Sequence, residues 1–577
     1  MRFGSCHIAF LLGWLAALYQ PARAQQAYPN GYFRSPLDIP LKLSGTFGEL
    51  RTNHFHSGLD IRTNSVEGLN IYAAADGFVS RVKVSAYGYG LALYVDHPNG
   101  YTTVYAHLQQ FQGAIADWVY KKHYEKESFE LDITLYPNEL PVKKGQVIAL
   151  SGNSGGSGGP HLHFEVRDTK TEEILNPQLF GFQIADKVAP TFAFVELVPH
   201  GPGSQINGSG KPKKLWVQRD KAGNSFLTKQ QLQIWGGFYV QAKVYDKHDG
   251  NGFNNGIYRL MLLDGKDTLY RFQADAFAFA DTRYANAVMD YKQKMLQREQ
   301  IYRLMRAPGN KSTVLARLAS DGILQLGPGE SKTLWLVATD FAGNTSQLEL
   351  VVTGAESRTA ELLATPQPTE RYTPDKPLNI IREDLRVSMP AWNFYDTLDL
   401  AYRRTLKPFM AYSAVHSLHT ADEPIHGFYT ISIKQSGLPD SLRSKTVMVN
   451  VGINNARNAS SGVWKADFFE AKVRSFGDFY LSIDTVAPVI RSLNFRPGAS
   501  YRAGQQLNFK LSDNLVGLSS YQVYIDGQWE YHYFDGKTAN LQLPLQKKLA
   551  SGNHLLEIVV KDGVGNITRY QANFNLL

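Results

Sequence analysis

A chain of 577 residues is too long for a single hydrophobic core and implies several domains of about 100–200 residues each. With 43% hydrophobic and 19% charged residues it is globular rather than disordered, and its 31 Tyr and 31 Phe favour β structure. The net charge of +8 comes from dispersed Lys and Arg, which suits adsorption to a polyanionic envelope or plain solubility, and no nucleic-acid partner is expected.

Met1-Arg2-Phe3, an apolar run from Ile8 to Tyr19 and Ala22-Arg23-Ala24 together read as a signal peptide over residues 1–24. The run is too short to span a bilayer and no later stretch is long and apolar enough, so no membrane span is expected. The product would be exported, to the periplasm or to the cell envelope and beyond. Cys6 is the only cysteine and lies in that leader, so the mature chain would have no disulfide or thiolate metal site. Any metal would be held by His, Asp or Glu.

From about residue 43, alternating runs such as Gly100–Tyr105 and Gln146–Leu150 read as strands separated by glycine-rich turns. Residues 109–141 read as an insertion whose Trp118, Tyr120, Tyr124 and Phe129 would either line a groove or cover an apolar patch. Farther on, the chain repeats itself. Val188-Ala189-Pro190, Tyr245-Asp246 and Asp340-Phe341-Ala342-Gly343-Asn344 recur in order as Val486-Ala487-Pro488, Ser512-Asp513 and Asp562-Gly563-Val564-Gly565-Asn566. Each copy looks like an immunoglobulin-like β-sandwich. Asp340, Asp513 and Asp562 read as turn residues capping their own backbone rather than as calcium ligands, because the sequence does not cluster carboxylates at a suitable loop spacing.

The expected fold class is therefore mainly β. The expected division is an N-terminal β domain over 25–185 that carries the insertion 109–141, an immunoglobulin-like domain over 186–355 with a helical insertion at 284–305, and a linker over 356–377. A β-rich module of unassigned type over 378–485 and a second immunoglobulin-like domain over 486–577 complete it.

Chemistry concentrates in His54-Phe55-His56-Ser57-Gly58-Leu59-Asp60, Tyr105-Ala106-His107-Leu108 and Gly159-Pro160-His161-Leu162-His163-Phe164-Glu165. Strand alternation puts His161, His163 and Glu165 on one face, and likewise Thr103, Tyr105 and His107. Two imidazoles on one face can meet one ion. A catalytic zinc takes three such ligands and keeps one position for water.

The sequence H-x-x-x-D, Y-A-H-L, G-P-H-L-H-F-E resembles the lysostaphin/LytM-type zinc endopeptidases over about residues 42–170. The resemblance implies an antiparallel β-sheet catalytic domain holding one Zn²⁺ on His56, Asp60 and His163. His161 would be the general base, and His107 would orient water or steady the transition state. Glu165 and Tyr105 are candidates for a supporting partner and a substrate contact, and His54 lies outside the H-x-G-x-D frame. The implied substrate is a peptide cross-link of peptidoglycan, with the downstream β modules available to an envelope protein partner. Two rival readings are a non-catalytic regulator of another wall hydrolase, and an adhesin or assembly protein.

Overall fold

The computed structural model describes residues 28–220, 225–228, 230–249, 252–358 and 370–577. The expected leader with Cys6, and residues 359–369 of the expected linker, lie outside the described residues. Among the described residues no helix is long and apolar enough to cross a membrane.

Strands dominate throughout. The N-terminal sheet runs in the order Leu43–Gly45, Leu59–Arg62, His161–Asp168, Tyr101–Phe111, Leu91–Asp96, Gly77–Val84, Pro141–Val142. All these neighbours are antiparallel. In the central strand Leu162, Phe164 and Val166 are fully buried on the core face, which sends His161, His163, Glu165 and Arg167 to the other. Register puts His163 opposite Asp60 on one side and Ala106 on the other.

The insertion consists of the end of the Tyr101–Phe111 strand, the helix Gly113–Lys126 and the strand Leu131–Thr134. It does not stand open over a groove, because its aromatic residues dock the last module. The Tyr124 hydroxyl donates to Glu530 at 2.8 Å, its ring meets Trp529 edge-on at 5.2 Å, and Phe129 meets Tyr533 at 5.3 Å. Of the two readings of the insertion, the structure favours the covered patch.

Next comes a ten-stranded assembly from Thr191–Ile206 to Thr345–Gly354. The short strand Ala276–Phe277, which follows the assembly's strand Asp267–Gln273, pairs instead with Ile174–Leu175 and so joins the N-terminal sheet. Its insertion holds short helical segments from Phe279 to Gln297 and returns to strand at Tyr302–Arg303, so the helical part begins and ends before the expected 284–305. Two five-stranded sheets follow over Leu378–Ile483, then a four- and a five-stranded sheet over Val489–Leu576. The internal repeat is structural as well as sequential. The Asn344 amide donates to the Asp186 carbonyl at 3.3 Å, and the Asn566 amide donates to the Asp484 carbonyl at 3.0 Å.

His426, between the helical insertion and the next module, stacks on Tyr284 at 4.4 Å and bonds the Tyr395 hydroxyl at 3.0 Å. Burial, then the Arg283, Arg474 and Lys311 charges, push its pKa down to about 4. The unfolded chain therefore binds this proton near pH 6.5 while the folded chain does not, so stability falls as pH drops from 6.5 towards 4. Thermal melts across that window are expected to lose about 1–2 kcal/mol through this group, after allowance for solvent screening. His426→Gln should flatten that part of the profile.

Candidate metal centre

The hairpin of strands Leu50–Arg51 and His54–Phe55 and the strand Leu59–Arg62 bring His56 and Asp60 against His163. Gly58 is required between them, since a Cβ there would lie 2.4 Å from the Phe164 carbonyl oxygen and 3.0 Å from His163 Nε2. Hydrogen bonds fix each ring. His56 Nδ1 lies 2.8 Å from the Thr46 carbonyl, which can only accept, so Nδ1 carries the proton and Nε2 a lone pair. His163 Nε2 lies 2.9 Å from Glu165 Oε1, which leaves Nδ1 as its free atom. Arg51 Nη2 donates to Asp60 Oδ2 at 2.6 Å, leaving Oδ1 unclaimed by a cationic side chain.

The three remaining atoms converge: Asp60 Oδ1 is 3.0 Å from His56 Nε2 and 2.9 Å from His163 Nδ1, and those two nitrogens are 3.1 Å apart. All three residues are buried. Three lone pairs so close repel unless a cation or proton lies among them. In the metal-free chain burial opposes a charge on His163, but hydrogen bonds to Asp60 and Glu165 push its pKa up to about 9. Burial, with Arg51 nearby, brings His56 down to about 4. Two neutral imidazoles and a carboxylate are a zinc donor set, and a metal would replace the proton on His163.

Two more histidines complete the pocket. His107 Nδ1 is held by the Ser154 carbonyl and His161 Nδ1 by the Gly159 carbonyl, both at 2.8 Å, so both Nε2 atoms are acceptors. Their ring centroids are 4.8 Å apart, and His161 Nε2 lies 3.3 Å from Asp60 Oδ1. Burial keeps His107 neutral, with its pKa down to about 3.

Tyr105 does not reach the site. It is fully buried, and its hydroxyl accepts from the Ala74 amide at 2.8 Å and from the Thr103 hydroxyl at 2.9 Å. Strict alternation would place it beside His107, but His107 has φ +59° and the pairing with Leu91–Asp96 slips there. Such a bulge re-aims one side chain relative to the rest of its strand. His54 is exposed and bonds only locally, to the Thr52 carbonyl at 3.1 Å.

Three residues at the site were missed by sequence reasoning: Arg51 on Asp60, Arg167 on Glu165 at 2.7 Å, and Tyr89. Tyr89 stacks on His163 at 5.3 Å and donates to Glu165 at 2.5 Å. Arg167 could have been found, since it extends the His161, His163, Glu165 alternation. Arg51 and Tyr89 lie outside that strand, in segments with no periodicity to mark them.

A β-sheet presenting two imidazoles and a carboxylate, flanked by two further anchored histidines, is a donor set of the kind that a catalytic metal takes. Residues 54–124 and 132–177 match peptidase family M23. Residues 369–484 match the Zu5-like domain, which assigns the module left unassigned from sequence. An uncharacterized metalloprotease of Haemophilus influenzae is 33% identical over 142 residues, 24% of this chain and 25% of that protein. A DD-carboxypeptidase/endopeptidase of Neisseria meningitidis serogroup B is 32% identical over 143 residues, 24% of this chain and 27% of that protein. The murein hydrolase activator EnvC of Escherichia coli K12 is 32% identical over 114 residues, 19% of this chain and 20% of that protein. The chain thus matches about a quarter, or less, of the length of these relatives.

Proposed function

We propose that the protein is an exported, zinc-dependent endopeptidase that hydrolyses peptide cross-links of bacterial peptidoglycan. The observation that carries this reading is the convergence of His56 Nε2, Asp60 Oδ1 and His163 Nδ1 beside the two acceptor nitrogens of His107 and His161. Zinc bound there would polarise the scissile carbonyl and acidify a water.

The chain's own residues supply the rest. His161, whose Nδ1 is anchored so that Nε2 carries the lone pair and whose side chain is 13% exposed, takes a proton from the attacking water and returns it to the leaving amine. His107 orients that water or, once protonated, donates to the developing oxyanion. Arg51 holds Asp60, and Glu165 holds His163, in the orientation that presents their free atoms. The substrate class is supported by the name of a Vibrio cholerae relative 29% identical over 148 residues, a peptidoglycan DD-endopeptidase, and export by the signal-like N-terminus. The downstream β modules would position the enzyme in the envelope or take an envelope protein partner.

The test is digestion of defined cross-linked muropeptides by the zinc-loaded mature protein, read by mass spectrometry beside the Asp60→Ala variant. Zinc-dependent release of monomers is expected, and absence of cleavage by a fully loaded protein would sink the reading. The similarity to the Escherichia coli activator favours a second reading, a non-catalytic regulator of another wall hydrolase. Against it, all five metal and histidine positions are filled here; it would gain if the zinc-loaded protein cut nothing yet stimulated a purified amidase.

A further inference from the structure

A second group of metal-ligating side chains lies at the seam between the N-terminal sheet and the first sandwich. Asp186, Asp246 and His248 bring their ligand atoms within 4.8 Å of one another. His248 Nε2 is 3.5 Å from Asp186 Oδ2 and 3.4 Å from Asp246 Oδ2. Those separations are long for hydrogen bonds, yet close to the roughly 3.3 Å between tetrahedral ligands that each sit about 2.0 Å from one ion.

The hydrogen bonding around the group does not close without a cation. Asp246 is 1% exposed and its Oδ1 has no partner, an expensive state for a buried carboxylate. The Asn255 side chain, 2% exposed, faces His248 Nδ1 with its Nδ2 at 3.4 Å while its Oδ1 has no partner. The two ends of an amide are interchangeable in placement. Turned over, Asn255 Oδ1 would accept the Nδ1 proton of His248, and the Nε2 lone pair would point between the two carboxylates. That is the arrangement of a metal-bound histidine, whose other nitrogen donates to a carbonyl oxygen.

The surrounding charges agree. Asp340 and Asp249 add negative potential, and among the described residues no Lys or Arg forms an ion pair with Asp186 or Asp246.

The repeated module provides a contrast. At the positions equivalent to Asp186, Asp246 and Asp340, the side chains of Asp484, Asp513 and Asp562 also converge, but no histidine joins them. Both oxygens of Asp484 and Asp562, and one of Asp513, accept from backbone or amide groups. Asp340 and Asp562 do cap their own turns, as read from sequence. The spacing rule failed because the clustering carboxylates come from segments distant in sequence.

We propose that Asp186, Asp246 and His248 bind a structural divalent cation of the kind that takes mixed imidazole and carboxylate ligands, zinc or manganese. Its place gives it work to do. Asp246 and Asn255 exchange both backbone hydrogen bonds, and the next residue, Gly256, accepts the Thr46 hydroxyl at 3.1 Å. The Thr46 carbonyl in turn holds His56. The ion would brace the segment that orients a ligand of the catalytic centre, although its binding does not depend on that centre being active.

The test is metal content of the chelated, then zinc- or manganese-reconstituted full chain, measured by plasma mass spectrometry. Asp246→Asn and His248→Gln are each expected to hold one equivalent fewer than the unaltered chain. Asp60→Ala, which leaves the junction intact, is expected to keep one equivalent that vanishes in the Asp60→Ala, His248→Gln double variant. Failure of the catalytic reading alone would leave the unaltered chain with the single, junction-dependent equivalent. No metal on Asp60→Ala with either ion, or unchanged content in both junction variants, overturns the proposal.

Discussion

Asp60→Ala and His163→Ala are each expected to lose the catalytic zinc and to lower cleavage at least about 10³-fold, whereas His161→Ala keeps the metal and loses about 10²–10⁴-fold in kcat. The difference follows from where the free atoms point. Asp60 Oδ1 and His163 Nδ1 face each other at 2.9 Å with His56 Nε2 at about the same range, so removing either takes one of three donors. Asp60→Ala also leaves Arg51 facing two neutral imidazoles, which discourages a cation further. His161 Nε2 lies 3.3 Å from Asp60 Oδ1 but its ring is anchored on the rim by the Gly159 carbonyl, and nothing in the triad needs it for support. Zinc content and turnover measured on the same preparations decide the matter. Equal zinc loss in all three variants would show that His161 is a ligand and that the division of roles is wrong.

The triad entered through a family resemblance, and the motifs that carry it are visible because their constraints are local or periodic. H-x-G-x-D places His56 and Asp60 on either side of a glycine that no other residue can replace, and H-x-H-x-E is plain two-residue alternation in a buried strand. Alternation failed at Tyr105 because a bulge at His107 is a property of backbone pairing, and nothing in Tyr-Ala-His-Leu announces it. The repeated motif marks two related modules, since the Asn of D-x-x-G-N ties the turn to the chain's entry in both copies. Contacts between distant segments were not legible at all. Whether Tyr124 packs against a sugar or against Trp529 depends on a partner about 400 residues away, and no local pattern encodes that choice.

Glu165→Ala is expected to damage both stability and metal binding, by separable routes. The carboxylate is fully buried and takes three donors: His163 Nε2 at 2.9 Å, the Tyr89 hydroxyl at 2.5 Å and Arg167 Nε at 2.7 Å. Although burial opposes ionisation, Arg167 and His163 hold its pKa well below the usual carboxylate range, so it is an anion at every working pH. Removing it strands the Arg167 guanidinium in a site where it is 7% exposed, which costs about 3–5 kcal/mol. It also frees the His163 ring to turn or to change tautomer, which should weaken zinc affinity about 10–100-fold. Pairing it with Arg167→Met separates the two effects, because the second substitution removes the stranded charge while keeping the packing volume. The double variant should recover most of the melting temperature and none of the zinc affinity. Recovery of both would mean that Glu165 acts only by neutralising Arg167, and that His163 is oriented by its contacts with Asp60 and Tyr89 alone.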